Sequence, residues 1–159
     1  MGVSSSAEYR PGLIVRPLRS TDIHEQYFTL LDGLYENTCN FEEAETFFKN
    51  LHSYHQIIVI EDPVERILVA SGTVFIEPKI IHDFGLVGHI EDIVVHPKYQ
   101  GLGVGSKLVE KLLQYGENMG CYKCILDCSE DKIPFYEKCN FTKKDTQMSY
   151  YYATKNQVK

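Results

Sequence analysis

No stretch of this chain stays apolar for the roughly 20 residues a helix needs to cross a bilayer, and no secretory hydrophobic region stands near the N-terminus. Positive charge is not in excess either: 16 basic against 22 acidic residues give a net charge of −6, which argues against non-specific nucleic-acid binding. No repeat or low-complexity block is present. The five cysteines, Cys39, Cys121, Cys124, Cys128 and Cys139, hold one CxxC (Cys121–Cys124) but no second pair at zinc-finger spacing. No metal is therefore called for. Most of that odd set falls in a strand-like stretch and reads as small packed thiols, in a reducing, cytoplasmic compartment. The acidic balance leaves room for an anionic ligand, because a nest of backbone N–H groups can hold one.

What is present suits one domain with one core: 159 residues, 43% of them hydrophobic. Residues 1–11 read as a flexible polar leader, 12–152 as the folded domain and 153–159 as a polar tail. Met1-Gly2-Val3-Ser4-Ser5-Ser6 fits the M-G-x-x-x-[ST] pattern for N-myristoylation, with a plain polar tail as the alternative. A single acyl chain without a polybasic stretch holds weakly, and it is the one route to a membrane partner.

Periodicity predicts the order β-α-α-β-β-β-α-β-α-β. The first strand covers Leu13–Arg16. Ser20, Thr21 and Asp22 offer caps to a helix carrying Ile23, Tyr27, Leu30, Leu31 and Leu34. Asn40 with Glu43 resembles a capping box for a second helix, with Phe41, Ala44, Phe47, Phe48 and Leu51 as its stripe. Strands follow at Gln56–Ile60, Ile67–Ile76 (with Ser71-Gly72 as a candidate bulge) and His89–His96. A helix from Ser106 to Met119 is ended by Gly120. Tyr122–Cys128 reads as a strand, Ile133–Cys139 as a short helix with Pro134 in its first turn, and Gln147–Tyr152 as a closing strand. The unit from His89 to Cys128 is a right-handed crossover, so its two strands should be parallel neighbours. The fold class is α/β: a mixed, mostly antiparallel sheet with helices on both faces.

The densest chemical signal is Gln100-Gly101-Leu102-Gly103-Val104-Gly105-Ser106-Lys107, set between a strand and an amphipathic helix. Glycines let the turn fold tightly, so that successive N–H groups meet at the helix N-terminus and favour an anion. The spacing is not that of a Walker A loop, and Ser106 and Lys107 occupy the third-glycine region of a dinucleotide fingerprint.

The run Val94-Val95-His96-Pro97-Lys98-Tyr99-Gln100-Gly101-Leu102-Gly103-Val104-Gly105 resembles the acetyl-CoA motif Q/R-x-x-G-x-G/A of the GNAT superfamily, with Gln100, Gly103 and Gly105 filling it. Pro134-Phe135-Tyr136-Glu137-Lys138-Cys139-Asn140-Phe141 resembles that superfamily's FY…GF motif. More narrowly, Lys79-Ile80-Ile81-His82, Gly88-His89-Ile90-Glu91-Asp92-Ile93, Gly120-Cys121-Tyr122-Lys123 and Ile125-Leu126-Asp127-Cys128 resemble the eukaryotic glucosamine-6-phosphate N-acetyltransferase family. The likeness spans roughly residues 13–150.

The resemblance implies the GNAT fold. It also implies transfer of the acetyl group of acetyl-CoA to the amine of glucosamine 6-phosphate, feeding UDP-N-acetylglucosamine synthesis, in a homodimer whose protomers share the sugar site. Carried over by position, the coenzyme site falls on Ile93, Val94, Val95, Gln100, Gly101, Leu102, Gly103, Val104, Gly105, Ser106 and Lys107, with Tyr136 near the thioester sulfur. The sugar-phosphate site falls on Lys79, Ile80, Ile81, His82, Glu91, Asp92, Ile93, Tyr122, Lys123 and Asp127. Three positions depart from the pattern. A family Thr aligns with about Tyr35, a C-terminal Arg with about Tyr151, and an Asn before the FY motif is Lys132.

The chemistry of these residue types agrees with the assignment. An attacking amine must be neutral, and Asp127 or Glu91 can take its proton. Asp127 is expected in an apolar strand on the same face as Lys123, with a structural ion pair as the competing reading. Glu91 and Asp92 point to opposite faces of a regular strand unless a bulge intervenes. Tyr136 can donate to the departing thiolate, though a Tyr there can equally be packing. Lys79, His82 and Lys123 are positive donors for a phosphate, and His89 reads as a core contact. The alternatives are a GNAT enzyme for another small amine or a peptide N-terminus, and a CoA-binding module without turnover.

Overall fold

The computed structural model describes residues 12–35 and 40–152; the leader with its Met1–Ser6 motif, Cys39 and the tail lie outside the described residues. Two compact units divide the chain after Leu126. The first holds a five-stranded sheet in the order β1-β2-β3-β4-β5. Its strands are β1 (Ile14–Pro17), β2 (His55–Asp62), β3 (Ile67–Pro78), β4 (Leu86–Val95) and β5 (Cys121–Ile125). Neighbours run antiparallel except β4 and β5, which are parallel, as the crossover through α4 (Val104–Asn118) requires.

Side-chain alternation gives the central strands β2, β3 and β4 two faces to cover, while β5 leaves Tyr122, Lys123 and Ile125 exposed. On one face, α1 (Glu25–Leu31) brings Tyr27 and Leu30 onto Leu18, Val59, Leu68 and Val94, with Phe48 of α2 (Phe41–Lys49) against their edge. On the other face, Val104, Leu108, Val109 and Leu112 of α4 are fully buried, as their i, i+4, i+5, i+8 spacing demands. Each leucine buried there contributes about 1.5–3 kcal/mol. Cys124 is lodged where β4 and α4 both lack a side chain: a Cβ on Gly88 or Gly116 would come within 2.6 or 2.7 Å of its sulfur. That close packing accounts for Cys124, whose thiol is pushed above its ordinary pKa by burial, while Cys121 and Cys139 are half-buried and Cys128 is exposed rather than packed.

Several expectations are corrected. The first helix does not run on from Ser20–Asp22, a separate 3-10 turn. Asp22 turns inward instead, taking Arg16 Nη1 and Nη2 at 2.7 and 2.8 Å and the Arg19 N–H at 2.7 Å. Asn40 caps α2 by accepting the Glu43 N–H at 2.8 Å, but Phe41 and Phe47 of its stripe stay exposed. The loop after β3 contains a single turn, α3 (Ile81–Phe84), in which His82, Asp83 and Phe84 hold φ of 56°, 54° and 60°.

The second unit is described from Asp127 to Tyr152. A 3-10 turn at Glu130–Lys132 leads into α5 (Ile133–Lys138), closed by Asn140 at φ 67°. Residues 147–152 form no strand, and Met148, Tyr150, Tyr151 and Tyr152 are exposed.

Candidate active site

The glycine loop sits where the sequence places it, and its approach is anchored. Pro97–Tyr99 forms a 3-10 turn after β4, started by the His96 side chain, which accepts the Lys98 N–H at 3.2 Å. Tyr99 is buried, and its hydroxyl donates to Asp62 Oδ2 at 2.8 Å; Asp62 Oδ1 meanwhile accepts the N–H groups of Val64 and Glu65. One carboxylate thus ties the β2–β3 turn to the loop. Gln100 Nε2 donates back to the Val95 carbonyl at 3.1 Å. Gly101 and Gly103 then take φ of 75° and 76°, and α4 starts at Val104 with no side chain capping it. A first turn has no intrahelical acceptors for its N–H groups, so those of Val104, Gly105 and Ser106 can serve an anion. Lys107 turns along the helix instead, its Nζ 3.0 Å from Glu110 Oε2.

Upstream on β4, Thr73 pairs with Glu91 but Ser71 pairs with Val94, so β4 holds one extra residue opposite Gly72. Asp92 absorbs it at φ 53°. The bulge therefore lies on β4, opposite the Ser71-Gly72 signal that suggested it. Its consequence is chemical. Glu91 shares the face of Thr73, and Asp92 joins Ser71 and Thr73 in lining a cavity of about 470 Å³ on that same side. Ile93 swings to the α4 face, where a Cβ on Gly72 would lie 2.6 Å from its Cδ1. Both carboxylates thus face one side of the sheet. The cavity has Tyr27, Phe28, Tyr35, Phe47, Phe48 and His55 in its walls. Within it the Tyr27 hydroxyl lies 3.2 Å from Ser71 Oγ. Burial first, then the neighbouring His52, pushes His55 below its ordinary pKa.

The expected phosphate donors gather at the far end of β4. The Lys79 N–H bonds the Gly85 carbonyl at 2.8 Å, closing the turn that carries Ile80, Ile81 and His82. The His82 ring lies 4.7 Å from that of Tyr122, and Lys123 Nζ is 5.6 Å from the same ring centre. Tyr122 thereby joins the loop after β3 to the start of β5. Ile80, Ile81 and Phe84 are exposed around these donors.

In the second unit, Asp127 lies past the end of β5, exposed, so strand parity no longer puts it on the face of Lys123. Tyr136 packs edge-on between Phe135 and Phe141, with ring centres 4.9 and 5.9 Å away. Burial, followed by the neighbouring Cys128, Cys139 and Asp127, raises its phenol above the ordinary value. Such a phenol keeps its proton and can donate it. Lys132 is exposed and paired with Asp131 at 2.9 Å. Among the described residues, no group of three or more His, Cys, Asp or Glu side chains could hold a metal ion, and no helix is long and apolar enough to cross a membrane. Sequence reasoning passed over Tyr99, whose hydroxyl holds the loop to Asp62.

Residues 21–141 match the model described as the acetyltransferase (GNAT) family. Glucosamine 6-phosphate N-acetyltransferase 1 of Dictyostelium discoideum is 40% identical over 147 residues, covering 90% of this chain and 93% of its own. The crystal structure of glucosamine-6-phosphate N-acetyltransferase from Arabidopsis thaliana superposes with a TM-score of 0.84 at 39% identity, over 88% of this chain and 98% of its own. A Trypanosoma brucei acetyltransferase gives 0.81 at 34% identity, over 88% and 99%.

Proposed function

This chain belongs to the acetyltransferase (GNAT) family, and within it we propose that it transfers the acetyl group of acetyl-CoA to the 2-amino group of D-glucosamine 6-phosphate. The products are N-acetyl-D-glucosamine 6-phosphate and CoA, in the cytoplasmic supply of UDP-N-acetylglucosamine. The observation that carries the reading is one strand, β4, with a bulge presenting two carboxylates and an anion-binding glycine loop beyond its end. Glu91 pairs with Thr73 and Val95 with Ala70, three residues apart on β3, so about 10 Å of strand separates them, with the glycine loop beyond. That is commensurate with the reach from pyrophosphate to sulfur in a CoA arm, on the order of 15 Å from its bond lengths.

In this reading the neutral amine attacks the thioester carbonyl, and its nitrogen gives up a proton to Glu91 or Asp127 as the C–N bond forms. The tetrahedral intermediate collapses, the C–S bond breaks, and the thiolate takes the Tyr136 phenol proton, which solvent restores. The coenzyme lies along Ile93–Val95 and Gln100–Lys107. The sugar phosphate meets Lys79–His82, Asp92, Tyr122 and Lys123. Residues 12–152 act as one functional domain. The exposed Ile80, Ile81 and Phe84 beside the donors, and separately Met148 and Tyr150–Tyr152, support a homodimer that covers them and shares the sugar site.

A second reading, an amine acceptor with an apolar body, is favoured by the aromatic walls of the cavity beneath Asp92. Thiol release with acetyl-CoA decides between the two. Glucosamine 6-phosphate should exceed glucosamine, polyamines and aryl-alkylamines by at least about tenfold in kcat/KM. An equal or better apolar amine overturns the sugar-phosphate reading.

A further inference from the structure

Where β3 leaves the sheet, three polar side chains form one unit. Glu77 Oε1 accepts from Lys79 Nζ at 2.6 Å, and Glu77 Oε2 lies 2.8 Å from His89 Nε2. His89 belongs to β4 and stands opposite Phe75 of β3, with ring centres 6.1 Å apart; Phe75 in turn stands opposite His55 of β2. The imidazole is therefore fixed on the sheet, and it holds one carboxylate oxygen while the other faces Lys79. Each side chain is about a third exposed: Lys79 32%, Glu77 35% and His89 28%. Lys79 first, then His89, holds the Glu77 carboxyl below its ordinary pKa.

An isolated pair of long side chains at a surface contributes little, because each must give up rotamer freedom to meet the other. Glu77 differs in that a strand-borne ring has already restrained it. A lysine reaching an incoming phosphate alone loses the freedom of four methylenes on binding; one already placed loses it on folding. An ammonium has three donors, so the bond to Glu77 leaves two for phosphate oxygens.

We propose that Glu77 is a positioning residue for phosphate recognition, holding the Lys79 ammonium at the rim of the sugar site while His89 fixes the carboxylate from behind. This rests on the assignment of Lys79 as a donor to the 6-phosphate. The opposite role for Glu77 is a counter-charge that weakens an anion's attraction to Lys79. The two roles give opposite signs: losing a positioning group raises KM for the phosphorylated sugar, and losing a counter-charge lowers it.

Steady-state kinetics on the full chain test this, with glucosamine 6-phosphate varied at saturating acetyl-CoA, for wild type, Lys79→Ala, Glu77→Ala, Glu77→Gln and the double variant Glu77→Ala/Lys79→Ala. Glu77→Ala should raise KM for glucosamine 6-phosphate about three- to tenfold, with the change in KM rather than kcat. It should also narrow the preference for the phosphorylated sugar over glucosamine. Glu77→Gln keeps an oxygen for Lys79 and an N–H for a neutral His89, and should recover KM to within about twofold of wild type. The double variant should be no worse than Lys79→Ala alone, since a positioning group acts only through what it positions. If Lys79→Ala leaves KM unchanged, the phosphate assignment of Lys79 falls. If Lys79→Ala raises KM while Glu77→Ala leaves it unchanged or lowers it, that assignment stands and the positioning role is overturned. Should Glu77→Ala not fold, as judged by its thermal transition, His89→Asn carries the same test: a raised KM supports the clamp, and an unchanged one overturns it.

Discussion

Substitution of Gly103 separates the two demands made on the glycine loop, backbone shape and open space before the first-turn amides. Gly103 holds φ 76° and ψ 0° as the residue before α4. A valine there enters the left-handed region at about 1–2 kcal/mol, a loss of about 2–8 °C in Tm for a chain of this length. Asparagine enters that region with little strain and is a good N-cap, so Gly103→Asn should keep Tm within about 2 °C of wild type. Both side chains would intrude on the space in front of the Val104, Gly105 and Ser106 amides. If those amides hold the pyrophosphate, losing one charge-assisted hydrogen bond at about 1.5–3 kcal/mol should weaken acetyl-CoA binding about 10- to 100-fold. Calorimetric titration with acetyl-CoA gives the affinity, and a thermal melt of the same sample gives the stability. The informative variant is Gly103→Asn, expected to be stable yet weak in binding. Wild-type affinity in Gly103→Asn would falsify the phosphate-nest assignment and reduce the Gly103 requirement to one of backbone conformation.

Three further expectations follow from the same geometry. Tyr136→Phe deletes one hydroxyl and little packing, so kcat should fall about 10²–10⁴-fold if that hydroxyl protonates the thiolate; a kcat within a factor of two of wild type makes Tyr136 a packing residue. Tyr99→Phe removes one hydrogen bond from the buried Asp62, at a cost of about 1–2 kcal/mol. It should raise KM for acetyl-CoA more than KM for the sugar, and equal effects on both would show that Tyr99 does not serve the loop. Burial alone would raise the Asp22 carboxyl, but the hydrogen bonds from Arg16 and the Arg19 N–H outweigh it and hold the group below its ordinary pKa. A depressed carboxylate adds stability above its unfolded pKa of about 4 and loses it as pH falls through the folded value. Acid unfolding should therefore show a shallower pH dependence in Asp22→Asn, and parallel curves would refute the linkage.

The order of elements as far as α5 (the turn α3 apart), the parallel pair around α4, the cap at Asn40 and the placing of the glycine loop were legible in the sequence. Each rests on a local signal: periodicity, a capping side chain, or glycine before a helical stripe. The failures arose where a distant partner decides. Asp22 looks like an N-cap until Arg16 of β1, itself held by Glu61 at 2.8 Å, draws it into the interior. Phe41 and Phe47 follow helical spacing, yet α2 covers its surface only in part. Cys121–Ile125 stops short of Asp127 although the apolar run continues to Leu126, because pairing with β4 ends at Ile125. Residues 147–152 have strand-forming side chains but no strand pairing, and side-chain propensity does not make a strand without a neighbour.

The bulge in β4 shows how a structural irregularity becomes a chemical one. On a regular strand Glu91 and Asp92 face opposite sides of the sheet, and one of the two is lost to any single site. The register shift against Ser71 and Thr73 turns both toward the same face and returns Ile93 to the α4 side. Gly72 makes this affordable in space: a side chain there would collide with Ile93, Leu112 and Leu108, at 2.6, 2.9 and 3.2 Å. The small residue that reads as a bulge in β3 is thus the space its neighbour's bulge needs. Gly72→Ala should force those contacts apart at a cost of about 1–3 kcal/mol and displace Ile93, whose neighbours are the proposed coenzyme-binding residues. If the substitution lowers stability while leaving KM for acetyl-CoA and kcat at wild-type values, the bulge tolerates repacking and its geometry does not set the transfer. If kcat falls by more than stability accounts for, at a temperature where both proteins are folded, the local path of β4 is part of the catalytic machinery.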